Sequence, residues 1–356
     1  MTPPVSFQSA GGRSGGLSFD IHPRPQTGKR VLLAILLLGP IVWSAAALWY
    51  DGPNSRVLAG VLAILFAGGS FGVLALARSA WHGAVAVVVG FGLVLGWWLS
   101  IEPRNDRPWQ QDVAELPAAE INGDRLTLHN VRNFEYRSET DFTPRWETRT
   151  YDLTKIQGLD LFLSYWGPRA IAHTILSWQF DGAPPLAVSI ETRKEQGEDY
   201  SAIRGFFRQY ELYYVVADER DLIRLRTNFR DEDVYLYRLR TPPARARALL
   251  LDYLAKVNRL AHQPDWYNAF THNCTTTIFL HVRDLGIPFS WDWKMFLNGY
   301  IDEGLYAEGI INTELPFEQL RANSAISSIA KRLGDKADFS ASIRVGLPER
   351  PEPPAL

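Results

Sequence analysis

Ala172-His173-Thr174-Ile175-Leu176-Ser177-Trp178-Gln179-Phe180, then Asp181-Gly182-Ala183-Pro184-Pro185, then Leu186-Ala187-Val188-Ser189-Ile190-Glu191-Thr192 is the stretch on which the fold turns. Two runs of strand-forming residues flank a cluster of turn residues, which is the pattern of a β-hairpin. A symmetric turn puts Ser177 and Gln179 on the face of His173. It puts Ser189, Glu191 and Arg193 on that same face of the partner strand, with Glu191 diagonal to His173. Working outward, strands are expected at 124–130, 133–136, 146–151, 212–217 and 233–239 from their β-type residues and alternation. Helices are expected after Leu153, where Ile156, Leu159 and Leu163 recur at helical spacing, and at 201–210, 218–228 and 242–262. Strands come first and helices dominate later, so the domain is read as α+β.

Three uncharged apolar runs precede this domain, at 31–50, 57–77 and 83–100, the last ending in Trp97-Trp98 as an interfacial belt. Arg24, Lys29 and Arg30 ahead of the first run favour a cytoplasmic N-terminus. Three crossings then place everything after Ser100 outside the cytoplasm. The expected organisation is a cytoplasmic tail at 1–30, three transmembrane helices at 31–100, a periplasmic domain at 101–346 and a loose proline-rich tail at 347–356. In a bacterium this is an inner-membrane protein whose first partner is the phospholipid bilayer. With 37 Lys and Arg against 39 Asp and Glu, net charge is −2, which gives nucleic acid no electrostatic hold.

Cys274 is the only cysteine, so no intramolecular disulfide forms, and no metal site or cofactor motif accompanies it. It sits in Thr271-His272-Asn273-Cys274-Thr275-Thr276-Thr277, at the start of a helix capped by Asn273 or Thr271. The stripe Ile278, Val282 and Leu285 follows, and Gly286 with Pro288 ends the helix. A first-turn thiol meets unsatisfied N–H groups and the positive end of the helix dipole, which favour the thiolate and can receive an oxyanion. A packed, inert thiol is the competing reading.

A thiol nucleophile needs a base. Among the seven histidines, His22 and His82 lie with the membrane segment, His129 follows a strand, and His262 ends a long helix. His281 is two turns beyond Cys274, roughly 10 Å along the helix axis. His173 and His272 remain, and Glu191 can orient His173 as the third member of a triad. Tyr267 and Asn268 precede the cysteine motif and Arg193 follows Glu191, so these, with Asn273, are candidate substrate or oxyanion contacts. Arg204 and Arg208 share a face of the expected 201–210 helix and could meet a phosphate headgroup, and Trp291 and Trp293 could wall an acyl pocket.

Five stretches carry a resemblance in order: 109–114 (Trp-Gln-Gln-Asp-Val-Ala), 161–168 (Leu-Phe-Leu-Ser-Tyr-Trp-Gly-Pro), 172–177, 189–193 and 272–276. Together they resemble the Lnb N-terminal periplasmic domain family, whose namesake is a lipoprotein N-acyltransferase. That family in turn resembles the circularly permuted papain-like fold of the NlpC type. There a strand histidine and a polar residue on the next strand precede an Asn-Cys pair at a helix start, an order matched by His173, Glu191 and Asn273-Cys274. The resemblance implies a membrane-anchored cysteine acyltransferase or hydrolase. It would work through an acyl-thioester, with phospholipid as acyl donor and lipoproteins as partners. A cell-wall peptide amidase using the same residues, or a non-catalytic envelope interaction module, is the alternative.

Overall fold

The computed structural model describes residues 25–286, 298–336 and 338–352, and Trp291 and Trp293 lie outside them. The chain divides into two compact units between Ser100 and Ile101. The first holds α1 (Pro25–Tyr50), α2 (Arg56–Leu76) and α3 (Ala80–Leu99). Their apolar spans of 24, 21 and 20 residues are long enough to cross a bilayer. Ser55 and Ser79 cap α2 and α3 by accepting from Leu58 N–H and His82 N–H. Pro40 lies within α1.

The second unit begins with strands β1 (Ala118–Asn122), β2 (Arg125–Arg132), β3 (Glu135–Tyr136), β4 (Phe142–Thr143) and β5 (Trp146–Asp152). Next come β6 (Ile156–Tyr165), β7 (His173–Phe180), β8 (Ala183–Arg193) and β9 (Glu211–Asp218). Helix α4 (Glu219–Arg224) and a π turn at Leu225–Phe229 lead into β10 (Asp233–Leu239). Helices α5 (Pro243–His262), α6 (Cys274–Asp284), α7 (Ile301–Ala307), α8 (Phe317–Asn323), α9 (Ser327–Leu333) and α10 (Phe339–Ser342) complete it. Eight strands form one sheet in the order β1-β2-β9-β8-β7-β6-β10, with β5 on β2.

Helices cover both faces of this sheet. Leu161, Leu163, Leu176, Val188, Ile190 and Tyr214 pack on one side with Leu250, Tyr253 and Leu254 of α5 and with Phe279 of α6. Phe162, Ile175, Ala187, Tyr213 and Val215 pack on the other with Leu222 and Ile223 of α4, Ala330 of α9 and Phe339 of α10. Double coverage explains the one large correction to the expected elements. Residues 156–165 are a central strand, not a helix: a strand buried on both faces reads as a near-continuous apolar run, and a bulge between Ile156 and Gly158 gives it an accidental helical period. The 201–210 segment also differs, being turns around a single 3-10 turn at Arg204–Phe206. Gly205 there lies close to Ala269 and Tyr267, and its carbonyl accepts from Ala269 N–H at 2.7 Å.

The hairpin turn is tighter than a symmetric five-residue loop. Phe180 pairs with Ala183 around Asp181-Gly182, with Gly182 at φ +72°, a conformation that suits glycine. Ile175 therefore pairs with Ser189, where the symmetric turn would have paired it with Glu191. The slip is two residues, and since side chains alternate with period two, every face assignment survives it. In the described part of the expected tail, which ends at residue 352, Arg350 is held on the sheet. Arg350 donates to the carbonyls of Leu159 and Leu239 at 2.5 and 2.8 Å and pairs with Asp160 at 2.6 Å.

Candidate functional site

Pairing between β7 and β8 stops at Ile175 and Ser189, yet β7 runs on to His173 against Ser164 of β6, and β8 runs on to Arg193 against Glu211 of β9. A notch is left between the two strands at the level of His173 and Glu191. Helix α6 starts at this notch: the hydroxyls of Thr174 and Thr275 are 2.9 Å apart. The Thr174 N–H donates toward the Cys274 sulfur. The nucleophile candidate thus lies against the backbone of the residue that follows His173.

Cys274 is the first residue of α6 and is buried. Asn273 acts as the expected cap, accepting through its side-chain oxygen from Thr275 N–H at 2.9 Å and Thr276 N–H at 2.8 Å. Its amide donates to Ala269 O at 2.9 Å, and Thr276 Oγ1 accepts from Asn273 N–H, closing a capping box. Two first-turn donors are therefore committed to Asn273. Cys274 N–H has no hydrogen-bond acceptor among the described residues. Asn298, which the sequence reading missed, ties the site together. It accepts from Ala172 N–H and donates to Thr275 Oγ1, both at 2.9 Å, with its amide 4.0 Å from the sulfur.

Electrostatics at the thiol run against the helix-dipole expectation. Burial pushes the Cys274 pKa up, and the hydrogen bonds from Thr174 and Thr275 only partly oppose it. The resting group is a neutral thiol.

His173 and Glu191 come together as expected, but through an intermediary. His173 Nε2 is 2.6 Å from Ser189 Oγ, and the Ser189 hydroxyl donates to Glu191 Oε1 at 2.7 Å, while the direct imidazole–carboxylate distance is 3.7 Å. Arg226, from the π turn, pairs with Glu191 at 2.8 Å. Burial raises the Glu191 carboxyl, and Arg226 and His173 outweigh it, holding Glu191 well below the usual carboxylate range. Burial, then Arg226, pushes His173 down to about 3. An ionised Glu191 only accepts, so the single Ser189 proton points to it, so His173 Nε2 must carry its proton toward Ser189. The lone pair of the neutral imidazole is then at Nδ1, the nitrogen free to act as a base. The side chains bonded to Cys274 Sγ are those of Thr275 and Asn298, and among the described residues no hydrogen bond joins it to His173.

The remaining candidates sort clearly. Tyr267 is buried in the core beside Cys274, its hydroxyl raised well above the ordinary value by burial and by the thiol. Asn268 builds the preceding turn, accepting from Phe270 N–H and Thr271 N–H at 3.0 Å. Arg193 shares the face of Glu191 but is committed to a clamp, donating to Val113 O, Ala114 O and Asn105 Oδ1 and stacking 4.3 Å over Trp109. His272 is half-buried and its ring bonds Thr271 Oγ1. His281 is held in the core by Asp252 and Tyr214 at 2.5 and 2.7 Å. Arg204 pairs with Glu198 at 2.6 Å.

Residues 142–294 match the family model of the Lnb N-terminal periplasmic domain. The match spans β4 to α6, so His173, Ser189, Glu191, Arg226 and Cys274 all fall within it, and it is the family the sequence motifs resemble. No curated protein and no solved structure matches the chain. A periplasmic domain preceded by three apolar helices fits an inner-membrane protein.

Proposed function

We propose that this protein is a membrane-anchored periplasmic cysteine acyltransferase or hydrolase, with its N-terminus in the cytoplasm. The observation that carries the reading is the notch between β7 and β8, where the only thiol of the chain meets the strand end bearing an imidazole whose Nδ1 is left as the acceptor. The permuted papain-like likeness belongs to the same proposal.

In the first half-reaction Cys274 Sγ attacks an ester carbonyl of a phospholipid as its proton passes to His173 Nδ1. The carbon–sulfur bond forms, the carbon–oxygen ester bond breaks, and His173 returns the proton to the departing alcohol. In the second, an amine or water attacks the thioester, the carbon–sulfur bond breaks, and the proton taken from the attacking group ends on the thiol. Cys274 N–H is the donor available to the oxyanion of each tetrahedral intermediate. Glu191 acts on His173 through Ser189, fixing the tautomer. Because both partners rest neutral, proton transfer accompanies attack and no thiolate is stored beforehand. The test is replacement of His173 by glutamine with acyl transfer from radiolabelled phospholipid as readout. A loss of about 100-fold or more is expected for removal of a general base; undiminished transfer overturns the assignment.

A further inference from the structure

Large apolar side chains are exposed at the notch end of the sheet. Trp166 and Ile171 lie in the β6–β7 loop, Tyr200, Ile203 and Phe206 in the β8–β9 loop, and Phe270 in the loop leading to α6, each between 45% and 60% exposed. Elsewhere on the described part of this unit only Ile121 and Val345 are large, apolar and comparably exposed. Strand directions put the three loops at one end: Ser164 pairs with His173, Arg193 pairs with Glu211, and Thr174 meets Thr275 at the start of α6. The β8–β9 and pre-α6 loops are joined, since Ala269 N–H donates to Gly205 O at 2.7 Å.

Chain continuity says what meets this rim. The Ile101 carbonyl accepts from Trp266 Nε1 at 3.2 Å and from Arg208, residues of these same two loop regions, and Arg104 N–H donates to Glu211 Oε1 at 3.1 Å. Ile101 follows Ser100, the C-cap of α3, in the sequence. The first residue of the domain thus lies at its apolar end, and in sequence it follows a helix of membrane-spanning length. Aromatic, isoleucine and arginine side chains together are the composition that settles at a bilayer interface.

We infer that the rim formed by Trp166, Ile171, Tyr200, Ile203, Phe206 and Phe270 is a docking surface for the phospholipid interface, onto which the notch opens. A soluble domain would not leave six such side chains on adjoining loops without a partner. Docking delivers acyl chains to the notch, so the inference supplies the source of the substrate proposed above, yet it stands on the surface alone.

The experiment installs a benzophenone amino acid in place of Ile203, Phe206 or Phe270 in the full-length chain, and in place of Ile121 or Val345 as controls. The protein is reconstituted in vesicles of phosphatidylethanolamine and phosphatidylglycerol, irradiated, and read by mass spectrometry for lipid adducts. Adduct yields at 203, 206 and 270 about tenfold or more above those at 121 and 345 are expected for side chains seated in the interface. Yields equal to the controls, or adducts to a second copy of the chain in place of lipid, overturn the inference. Repeating the set in the Cys274→Ala background separates this from catalysis: the lipid adducts persist there if docking is right, whatever becomes of acyl transfer.

Discussion

Two Ser–Glu–Arg networks lie buried on the same face of the sheet, and they do different work. In one, Ser177 donates to Glu219, which pairs with Arg344, and Asp160 joins with Arg350 to close the cluster. In the other, Ser189 donates to Glu191, which pairs with Arg226, and the chain ends on His173 at the notch. The first network is closed, with both buried carboxylates paired to arginine, and its effect is to strap residues 339–350 onto the sheet. The second ends on an imidazole with a lone pair, on the residue that precedes the Thr174 contact with the cysteine helix. Equal chemistry of parts thus gives a clamp where every group is satisfied and a candidate catalytic relay where one acceptor is left over.

The comparison breaks most sharply on substitution of the two arginines. Arg344→Met leaves Asp160 and Glu219 buried with one cation fewer, and a stability loss of about 3–5 kcal/mol is expected by denaturant titration. Acyl transfer by the fraction that stays folded should be unchanged. Arg226→Met also destabilises, but it removes the cation that helps depress His173, so the imidazole pKa rises in an NMR titration. An unchanged His173 pKa in that variant would equate the two networks.

Ser189→Ala against Ser177→Ala is the next contrast. Loss of Ser189 frees the imidazole from its tautomer, and transfer should fall by about tenfold or more with little change in KM. Loss of Ser177 should cost only about 1–2 kcal/mol of stability for a buried hydrogen bond to a charged group. Recovery of most activity in Ser189→Thr, which keeps a hydroxyl, supports a positioning role.

Acid separates them more gently. His173 titrates near 3 in the fold against an ordinary value of 6.5, so the unfolded chain takes up the proton first. Its contribution is present above about pH 6.5 and is lost as pH falls toward 3. Glu191 is also held low and adds a loss in the same direction below the ordinary carboxylate range. Stability of the wild type should therefore drop between pH 6.5 and 4, and His173→Gln should flatten the upper part of that drop. At the thiol the raised pKa predicts slow alkylation of folded Cys274 at pH 7, rising steeply toward pH 10. A rate that stays flat across that range contradicts the assignment of a neutral resting thiol.

Much of this was legible in the amino-acid order, and the reasons for the gaps are physical. Helices α5 and α6, strands β7 to β10 and the three apolar spans announce themselves by local period and caps. Cys274 and His173 stand out as candidates because the chain has one cysteine and seven histidines, Glu191 because it shares a strand face with His173, and that face assignment survives a wrong register because the slip is even. Strand β6 was missed because burial on both faces erases alternation. Ser189, Arg226 and Asn298 were missed as site residues because their roles depend on partners brought together by the fold: Arg226 reaches back 35 residues to Glu191, and Asn298 reaches back 23 to Thr275. No local pattern marks such residues. The helix dipole at Cys274 was read correctly as a position and wrongly as an outcome, since burial outweighs it.

The central claim is that Cys274 carries the acyl group. Full-length protein incubated with phospholipid vesicles, digested and examined by mass spectrometry should yield a hydroxylamine-labile fatty-acyl mass on the peptide containing Cys274. That adduct should be absent from Cys274→Ala, which should also lose transfer. No acyl adduct on the wild type together with undiminished transfer by Cys274→Ala would contradict the account.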